Sequence, residues 1–337
     1  MRLRDALGAF DSNHRKKVQP VESDAIRPKG FDSFIGQTET VEILRITTYA
    51  AIAHQRMPDH ILLTGPGGTG KTTLALIMAN ELPGGHLVTT SAAILNQDNL
   101  TKMLIGLKDR TVVFVDEIHM IPPKVRELLY MAMEDGFFDM STVEGTERIR
   151  LPEFTLIGAT TLPGKLPDSF RDRFGIGLRV THYAIDDLVM IAHRTALALN
   201  KTITTQAAEM LADRSKLVPR VLNSLIARCM DVRAVTPQEE HEYDITVDIV
   251  RNTMKLHGID DMGCDRLDRA VLSCLAFRFQ NAQVGLENLS ISVGEDPDTI
   301  RKDVEPWLIR AGMMTKTPKG RQITHMGRQH IEGENGQ

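Results

Sequence analysis

The chain has 337 residues, 42% of them hydrophobic and 25% charged, an ordinary globular mixture that excludes a collagen-like, disordered or coiled-coil protein. At about 150 residues per domain, this length implies two or three domains. Forty Lys and Arg against 44 Asp and Glu give a net charge of −4, so any contact with nucleic acid must come from a local basic surface and not from bulk charge.

Residues 1–25 are polar and charged with little apolar periodicity, and read as a mobile arm. Their opening, MRLRDALGAFDSNHRKK, has no apolar stretch long enough for a secretory signal, and no later run reaches the ~18 apolar residues of a membrane span. Cys229, Cys264 and Cys274 are odd in number and form no CxxC pair, so neither a disulfide framework nor a zinc site is expected. A reduced, cytoplasmic protein is the expectation.

Residues 26–182 alternate short apolar runs with helical stretches, the pattern of an α/β layer fold. HILLT (60–64), TVVFVDE (111–117) and FTLIGATT (154–161) are continuous apolar runs, as parallel strands buried on both faces require. Residues 183–257 turn helical: DDLVMIAHRTALALN and PRVLNSLIARCMDV carry apolar residues at helical spacing, with Pro219 at a helix start where its missing N–H is tolerated. HGIDDMGCD (257–265) reads as a linker. The last unit, 258–337, reads as helix, short helix, helix and a hairpin around Thr317-Pro318-Lys319-Gly320, the order of a winged helix.

GPGGTGKTT (65–73) contains the G-x-x-x-x-G-K-[ST] phosphate loop between a buried strand and the helix TTLALIMANEL. Glycines let backbone N–H groups turn inward around phosphate oxygens, and the helix adds its positive N-terminus. Lys71 is expected on the β- and γ-phosphates and the Thr72 hydroxyl on Mg²⁺. In VVFVDEIH, Asp116 is expected to hold Mg²⁺ through its waters and Glu117 to polarise the attacking water. No His or Cys partners His119 at ligand spacing, so it reads as packed or hydrogen-bonded. FTLIGATT ends in Thr160-Thr161, polar groups placed to sense a γ-phosphate. In FRDRFG, Arg171 and Arg173 stand two residues apart. One is expected to pair locally and the other to point outward as an arginine finger for a neighbouring subunit.

In this order and spacing GPGGTGKTT, VVFVDEIH, FTLIGATT and SFRDRFGI resemble the AAA+ ATPases. More closely, the chain resembles the RuvB family of hexameric motors that drive Holliday-junction branch migration. AIRPKGFDSFIGQ, ELLYMAMEDG, VGLENLSISVGEDPDTI and TKTPKGR extend the likeness over nearly the whole chain. The resemblance implies an AAA+ P-loop domain with a parallel sheet, an all-α lid over 183–257 and a C-terminal winged helix. It implies ATP and Mg²⁺ as cofactors, with Ile26 and Arg27 at the nucleotide, Gly68, Gly70, Lys71, Thr72 and Thr73 around the phosphates, and Glu134, Asp135 and Gly136 as a nucleotide-facing segment. Thr161 becomes the first sensor with Thr160 close behind, Arg173 the finger in preference to Arg171, Tyr183 a neighbour of the nucleotide and Arg220 the second sensor. The partners implied are DNA, further copies of the chain in a hexamer, and a RuvA-like junction-binding protein.

Between Leu308 and His330 stand Arg310, Lys316, Lys319, Arg321 and Arg328 with no acid, and Lys316, Lys319 and Arg321 at the hairpin are the expected phosphate contacts. Trp307 reads as core. Several positions depart from the family: Gly67 and Thr69 in the phosphate loop, expected to loosen it; Leu162 after the sensor threonines; SKLVPR, which lacks a glycine before the second sensor; and Lys316 in place of a wing arginine. The segment FFDMSTVEGTERIRLPEF is shorter than the family's partner-docking hairpin, with Ile149 and Leu151 left to supply an apolar contact. Two other uses of such a chain stay open at this point, a clamp- or helicase-loading ATPase and a winged-helix regulator whose assembly ATP controls.

Overall fold

The computed structural model describes residues 26–142, 145–236 and 243–334; the arm expected over 1–25 lies outside them. The described chain falls into two compact units. One runs to Thr202 and takes in Leu217–Ser224; the other holds Ile203–Lys216 and the chain from Leu225 onward.

The first unit is built on five parallel strands in the order β2-β3-β6-β1-β7, where β1 is Ile61–Thr64, β2 His86–Ser91, β3 Thr111–Asp116, β6 Phe154–Thr160 and β7 Ile176–Arg179. Successive side chains of a strand point to opposite faces. Accordingly Val113 and Val115 of β3 join one buried cluster with Leu100, Leu129 and Phe174, while Val112 and Phe114 join another with Leu74, Ile77 and Met78. Both faces are covered, which is why the strands read as unbroken apolar runs. The helices that cover them include α1 (Thr38–Ala53), α2 (Lys71–Glu81), α3 (Gln97–Ile105) and α4 (Pro123–Asp135). The short helix α5 (Asp168–Arg171) precedes β7, and α6 (Ile185–Ala198) follows it.

Strands β4 (Phe137–Thr142) and β5 (Gly145–Arg150) form a separate antiparallel hairpin whose connection lies outside the described residues. The expectation that Leu151 offers an apolar docking contact is corrected here. Leu151 is buried in the core beneath the hairpin, and Ile149 is half-buried against the same core.

The second unit contains α7 (Thr205–Asp213), most of α8 (Pro219–Val235) and α9 (Val247–His257), followed by the winged helix. The winged helix comprises α10 (Arg266–Ser273), α11 (Leu286–Val293), α12 (Glu305–Arg310), the hairpin β8 (Met314–Thr317) and β9 (Gly320–Ile323), and a final helix α13 (His325–Glu334). Gly320 has φ +142°, and a Cβ there would lie 2.5 Å from the Val284 carbonyl oxygen. Glycine is therefore required where Val284 and Arg321 pair their backbones beside the wing. Trp307 packs against this core, as expected.

The segment expected as a linker is instead a hydrogen-bonded turn. Asp260 Oδ1 accepts from the Met262 and Cys264 N–H groups, and its Oδ2 lies 3.0 Å from His330 Nε2 and 3.5 Å from Arg269. Asp260, Cys264 and His330 thus come together without cysteine spacing having announced it, but the carboxylate is already matched by donors and a cation. All three cysteines are free and buried, and burial pushes the Cys264 thiol up to about 12.

At the head of α10 the fully buried Asp268 meets Lys216 Nζ at 2.5 Å, and Asp265 meets it at 3.0 Å. Burial pushes the Asp268 carboxyl up to about 6, with the ammonium acting against that rise. Removing one partner of such a pair strands the other in a dry site, so Lys216→Met is expected to destabilise this unit by about 3 kcal/mol. A thermal melt should show a fall of roughly 6–10 °C, largely recovered in the double variant Lys216→Met/Asp268→Leu.

Candidate active site

Parallel strands place all their carboxyl ends at one sheet edge, where ligands bind in such folds. Thr64 of β1 stands beside Thr160 of β6, and β6 separates β1 from β3, which ends at Asp116. The phosphate loop leaving β1, the acid pair ending β3 and the threonine pair ending β6 therefore share one edge, with the threonines in the middle.

The loop is held in shape by its own side chains. The Lys71 ammonium donates to the carbonyls of Gly65 at 2.9 Å and Pro66 at 2.6 Å. Burial lowers its pKa, while Glu117 and Asp116 act in the opposite direction. Thr72 and Thr73 follow in the first turn of α2, half-buried. The substitution expected to loosen the loop supplies a tie: buried Thr69 donates its hydroxyl to Pro66 O at 2.8 Å. Gly67 has open space around it.

Three further segments close over this loop. Tyr183, buried, donates its hydroxyl to Thr69 O at 3.1 Å, and burial pushes its phenol above the ordinary range. Phe34 packs against Gly70. At Gly68, with φ +75°, a Cβ would lie 2.8 Å from both Val218 and Arg220, so the segment expected to carry the second sensor sits directly on the loop. The Arg220 N–H donates to Gly68 O at 3.3 Å, and the Arg220 charge acts on Lys71. Leu217, in the SKLVPR segment, takes φ +60° and offers its carbonyl to the Tyr183 N–H. A side chain in that region carries about 1–2 kcal/mol of strain that glycine would not.

Glu117 also has a left-handed backbone, φ +50°. Its Oε2 accepts from the Thr161 N–H at 3.2 Å and hydroxyl at 3.0 Å; its Oε1 lies 3.1 Å from the same hydroxyl. His119 is hydrogen-bonded, as expected, with Nδ1 close to Thr160 Oγ1. Asp116 accepts from the Glu117 N–H at 3.0 Å. The edge thus brings together the Lys71 ammonium, the Glu117 carboxylate bonded to Thr161, and two hard oxygen donors, Thr72 and Asp116, of the type Mg²⁺ takes.

A second set of expected residues does not join this loop. Arg173 lies just ahead of β7, whose first residue Ile176 pairs with Ile61 at the start of β1. It lines a cleft with Asp59, His60, Asp135, Gly136 and Glu153, at the amino ends of the strands. At about 3.3 Å per residue β1 alone puts roughly 10 Å between the two edges. The Arg173 guanidinium bonds Glu134 Oε1 at 2.6 Å and Tyr130 Oη, and lies 4.3 Å from the Tyr130 ring centre. Arg171 pairs locally with Asp168, not with the adjacent Asp172. Ile26 and Arg27 stand at the start of the described chain, the first half-buried and the second exposed.

In the winged helix, Glu305 is buried and accepts from Arg321 Nε at 2.6 Å and Lys316 Nζ at 3.0 Å. Arg321 is thereby only 12% exposed in its side chain, whereas Lys319 stands exposed at the turn. Arg328 pairs with Glu332. The basic window of the sequence is thus partly neutralised by acids that enter from outside it. Phe34, Val218 and Glu305 are the contributors that sequence reading did not single out. Phe34 lay inside a quoted motif, but nothing in the order of residues joins Glu305 to the wing.

A phosphate loop, strand-end acids, strand-end threonines and an arginine ahead of the edge strand define an AAA+ ATPase. Family comparison gives the particular kind. Residues 26–180 match the Holliday junction DNA helicase RuvB P-loop domain, 183–260 the RuvB AAA lid domain and 261–332 the RuvB C-terminal winged helix domain. The chain is 38% identical over 320 residues to the Holliday junction branch migration complex subunit RuvB of Prochlorococcus marinus (strain NATL2A), covering 94% of this chain and 89% of that one. To the subunit of the same name from Thermobifida fusca it is 40% identical over 316 residues, covering 91% and 89%. The solved structure of the Thermotoga maritima RuvB Holliday junction branch migration motor superposes with a TM-score of 0.81 at 37% identity, covering 91% of this chain and 98% of that one. This chain belongs to the RuvB family and is an ATP-hydrolysing enzyme of the AAA+ class. Among the described residues no helix is long and apolar enough to cross a membrane.

Proposed function

We propose that the chain is an ATP-driven DNA motor that works as a closed ring, a hexamer, on the duplex arms of a Holliday junction and drives branch migration. The observation that carries the ring is the division of the expected nucleotide residues between two edges of one sheet. Lys71, Glu117, Thr161 and Arg220 serve the chain's own nucleotide; Arg173, Glu134, Asp135 and Gly136 serve that of the next subunit. Each pocket is complete only where two copies meet. Mg²⁺ would be held by Thr72 and Asp116, whose hydroxyl and carboxylate oxygens are the donors that ion takes, and it would neutralise charge building on the β- and γ-phosphates. Ile26, Arg27 and Tyr183 would flank the rest of the nucleotide.

On the DNA side, exposed Lys319 takes the phosphates with Lys316, whose side chain is 46% exposed although Glu305 also holds it, and Arg321, 12% exposed on the same carboxylate, serves as a strut beneath the wing. Phosphate contacts position the wing without reading bases, as movement over any sequence demands. A RuvA-like junction-binding partner would dock on the β4–β5 hairpin, through residues other than the inward-facing Leu151.

The experiment is ATP-dependent dissociation of a synthetic four-way junction by the full-length protein, read with its affinity for duplex DNA against salt. Lys319→Ala should weaken binding on all sequences alike and reduce the salt slope by about 1 per wing. Arg321→Ala should instead lower the melting temperature, because it leaves the buried Glu305 short of a partner. ATP hydrolysis with no junction dissociation would sink the motor reading.

A further inference from the structure

His119 lies beside the Glu117 carboxylate at the end of β3. Its side chain is 9% exposed, with Nδ1 2.9 Å from Thr160 Oγ1 and 3.1 Å from Glu117 Oε2. A carboxylate offers only lone pairs, so the ring nitrogen that faces it must carry a hydrogen. Thr160 is wholly buried at the end of β6, and its Oγ1 also accepts from the Leu162 N–H at 3.0 Å. The imidazole is therefore seated against the sheet with Nδ1 between the Thr160 hydroxyl and the Glu117 carboxylate, within hydrogen-bond distance of both.

The donors around Glu117 are unequally shared. Oε2 has three within reach: the Thr161 N–H, the Thr161 hydroxyl and His119 Nδ1. Oε1 has the Thr161 hydroxyl alone. If that hydroxyl turns towards a γ-phosphate, Oε2 keeps two donors and Oε1 is stripped of its partner.

We propose that His119 is a positioning residue that, with the Thr161 backbone N–H, holds Glu117 by Oε2 and leaves Oε1 as the basic oxygen once Thr161 engages the γ-phosphate. The proposal rests on Glu117 being the base and Thr161 the sensor. Without nucleotide the Thr161 hydroxyl occupies Oε1 and keeps the base idle. With ATP the water oxygen bonds to the γ-phosphorus, its proton passes to Oε1, and the bond from that phosphorus to the bridging oxygen breaks with its electron pair remaining on ADP. His119 exchanges no proton in this step. It fixes where Oε1 points.

The test is steady-state ATP hydrolysis by the full-length protein, with ATP affinity measured separately by a fluorescent nucleotide. His119→Ala should lower kcat roughly 10-fold or more, with KM and ATP affinity within about twofold of the parent, since a misdirected base harms the transition state and not binding. His119→Asn, whose amide nitrogen can stand where Nδ1 stands, should recover kcat to within about threefold. A lost packing contact would not be rescued by asparagine. Thr160→Val, close in shape, removes the seat of the ring and should lower kcat in the same way, which keeps the test open if His119→Ala fails to fold. An alanine variant with parental kcat, an asparagine variant no better than alanine, or a fall in kcat matched by an equal loss of ATP affinity overturns the proposal. A parent without ATPase activity, or Glu117→Gln at parental turnover, would instead sink the assignment of the base itself.

Discussion

Glu117→Gln is expected to cut ATP turnover about 10³-fold while leaving ATP bound, because a positioned general base contributes on the order of 10²–10⁴ and glutamine supplies none of it. The substitution is nearly isosteric. Its amide oxygen can still accept from Thr161, the residue that now bonds both carboxylate oxygens. Lys71, which draws part of its compensation from Glu117, keeps Asp116 beside it and its two loop carbonyls. Fold and phosphate loop should survive, and the loss should fall on kcat. Phosphate release and nucleotide affinity, measured on one preparation, separate the two. The same variant decides between a motor and a DNA-binding regulator whose assembly responds to ATP. A regulator would go on working with ATP trapped in place, whereas a motor would stall on the junction. Turnover within about tenfold of the parent would remove Glu117 from the reaction.

What the sequence revealed and what it concealed divides along a physical line. The phosphate loop, the acid pair and the threonine pair were legible because each is a run of neighbouring residues whose composition the chemistry dictates. The buried parallel strands were legible too, since covering both faces of β3 and β6 leaves no polar position in Val112–Val115 or Leu156–Ala159. Charge partners were not. Glu305 opens α12, 11 positions before Lys316 and 16 before Arg321, and only the fold turns it beneath them. The same holds for Lys216 with Asp268, 52 positions apart. Thr69 misled for another reason. As a departure from the family it reads as loosening the loop, but a hydroxyl three residues from Pro66 O can close the turn on its own. Leu217 in a left-handed conformation is the reverse case. The missing glycine was visible in SKLVPR, yet only the backbone shows that Lys216 and Leu217 there take left-handed conformations.

Arg173→Ala is expected to reduce ATP turnover by about 10³-fold, the range an arginine finger contributes by meeting charge that builds on the transferred phosphoryl group. Its geometry in a single chain sets the terms of the test. The guanidinium is held by Glu134 and Tyr130 at the amino edge of the sheet, and its side chain is 36% exposed. A half-exposed ion pair is worth about 0–1 kcal/mol, so alanine should leave the fold intact. Arg173→Lys should rescue little, since an ammonium keeps the charge but not the forked grip. The discriminating measurement uses mixtures. A subunit carrying Arg173→Ala retains a sound phosphate loop, and one carrying Lys71→Ala retains a sound finger. Neither alone should turn over ATP. Mixed, they should recover activity wherever the finger of the second faces the loop of the first. If Arg173 served the nucleotide of its own chain, every subunit in the mixture would still lack one essential group and no activity would return. Recovery in the mixture therefore requires that the arginine act across a boundary between copies, the arrangement that its place on the sheet, far from Lys71, calls for.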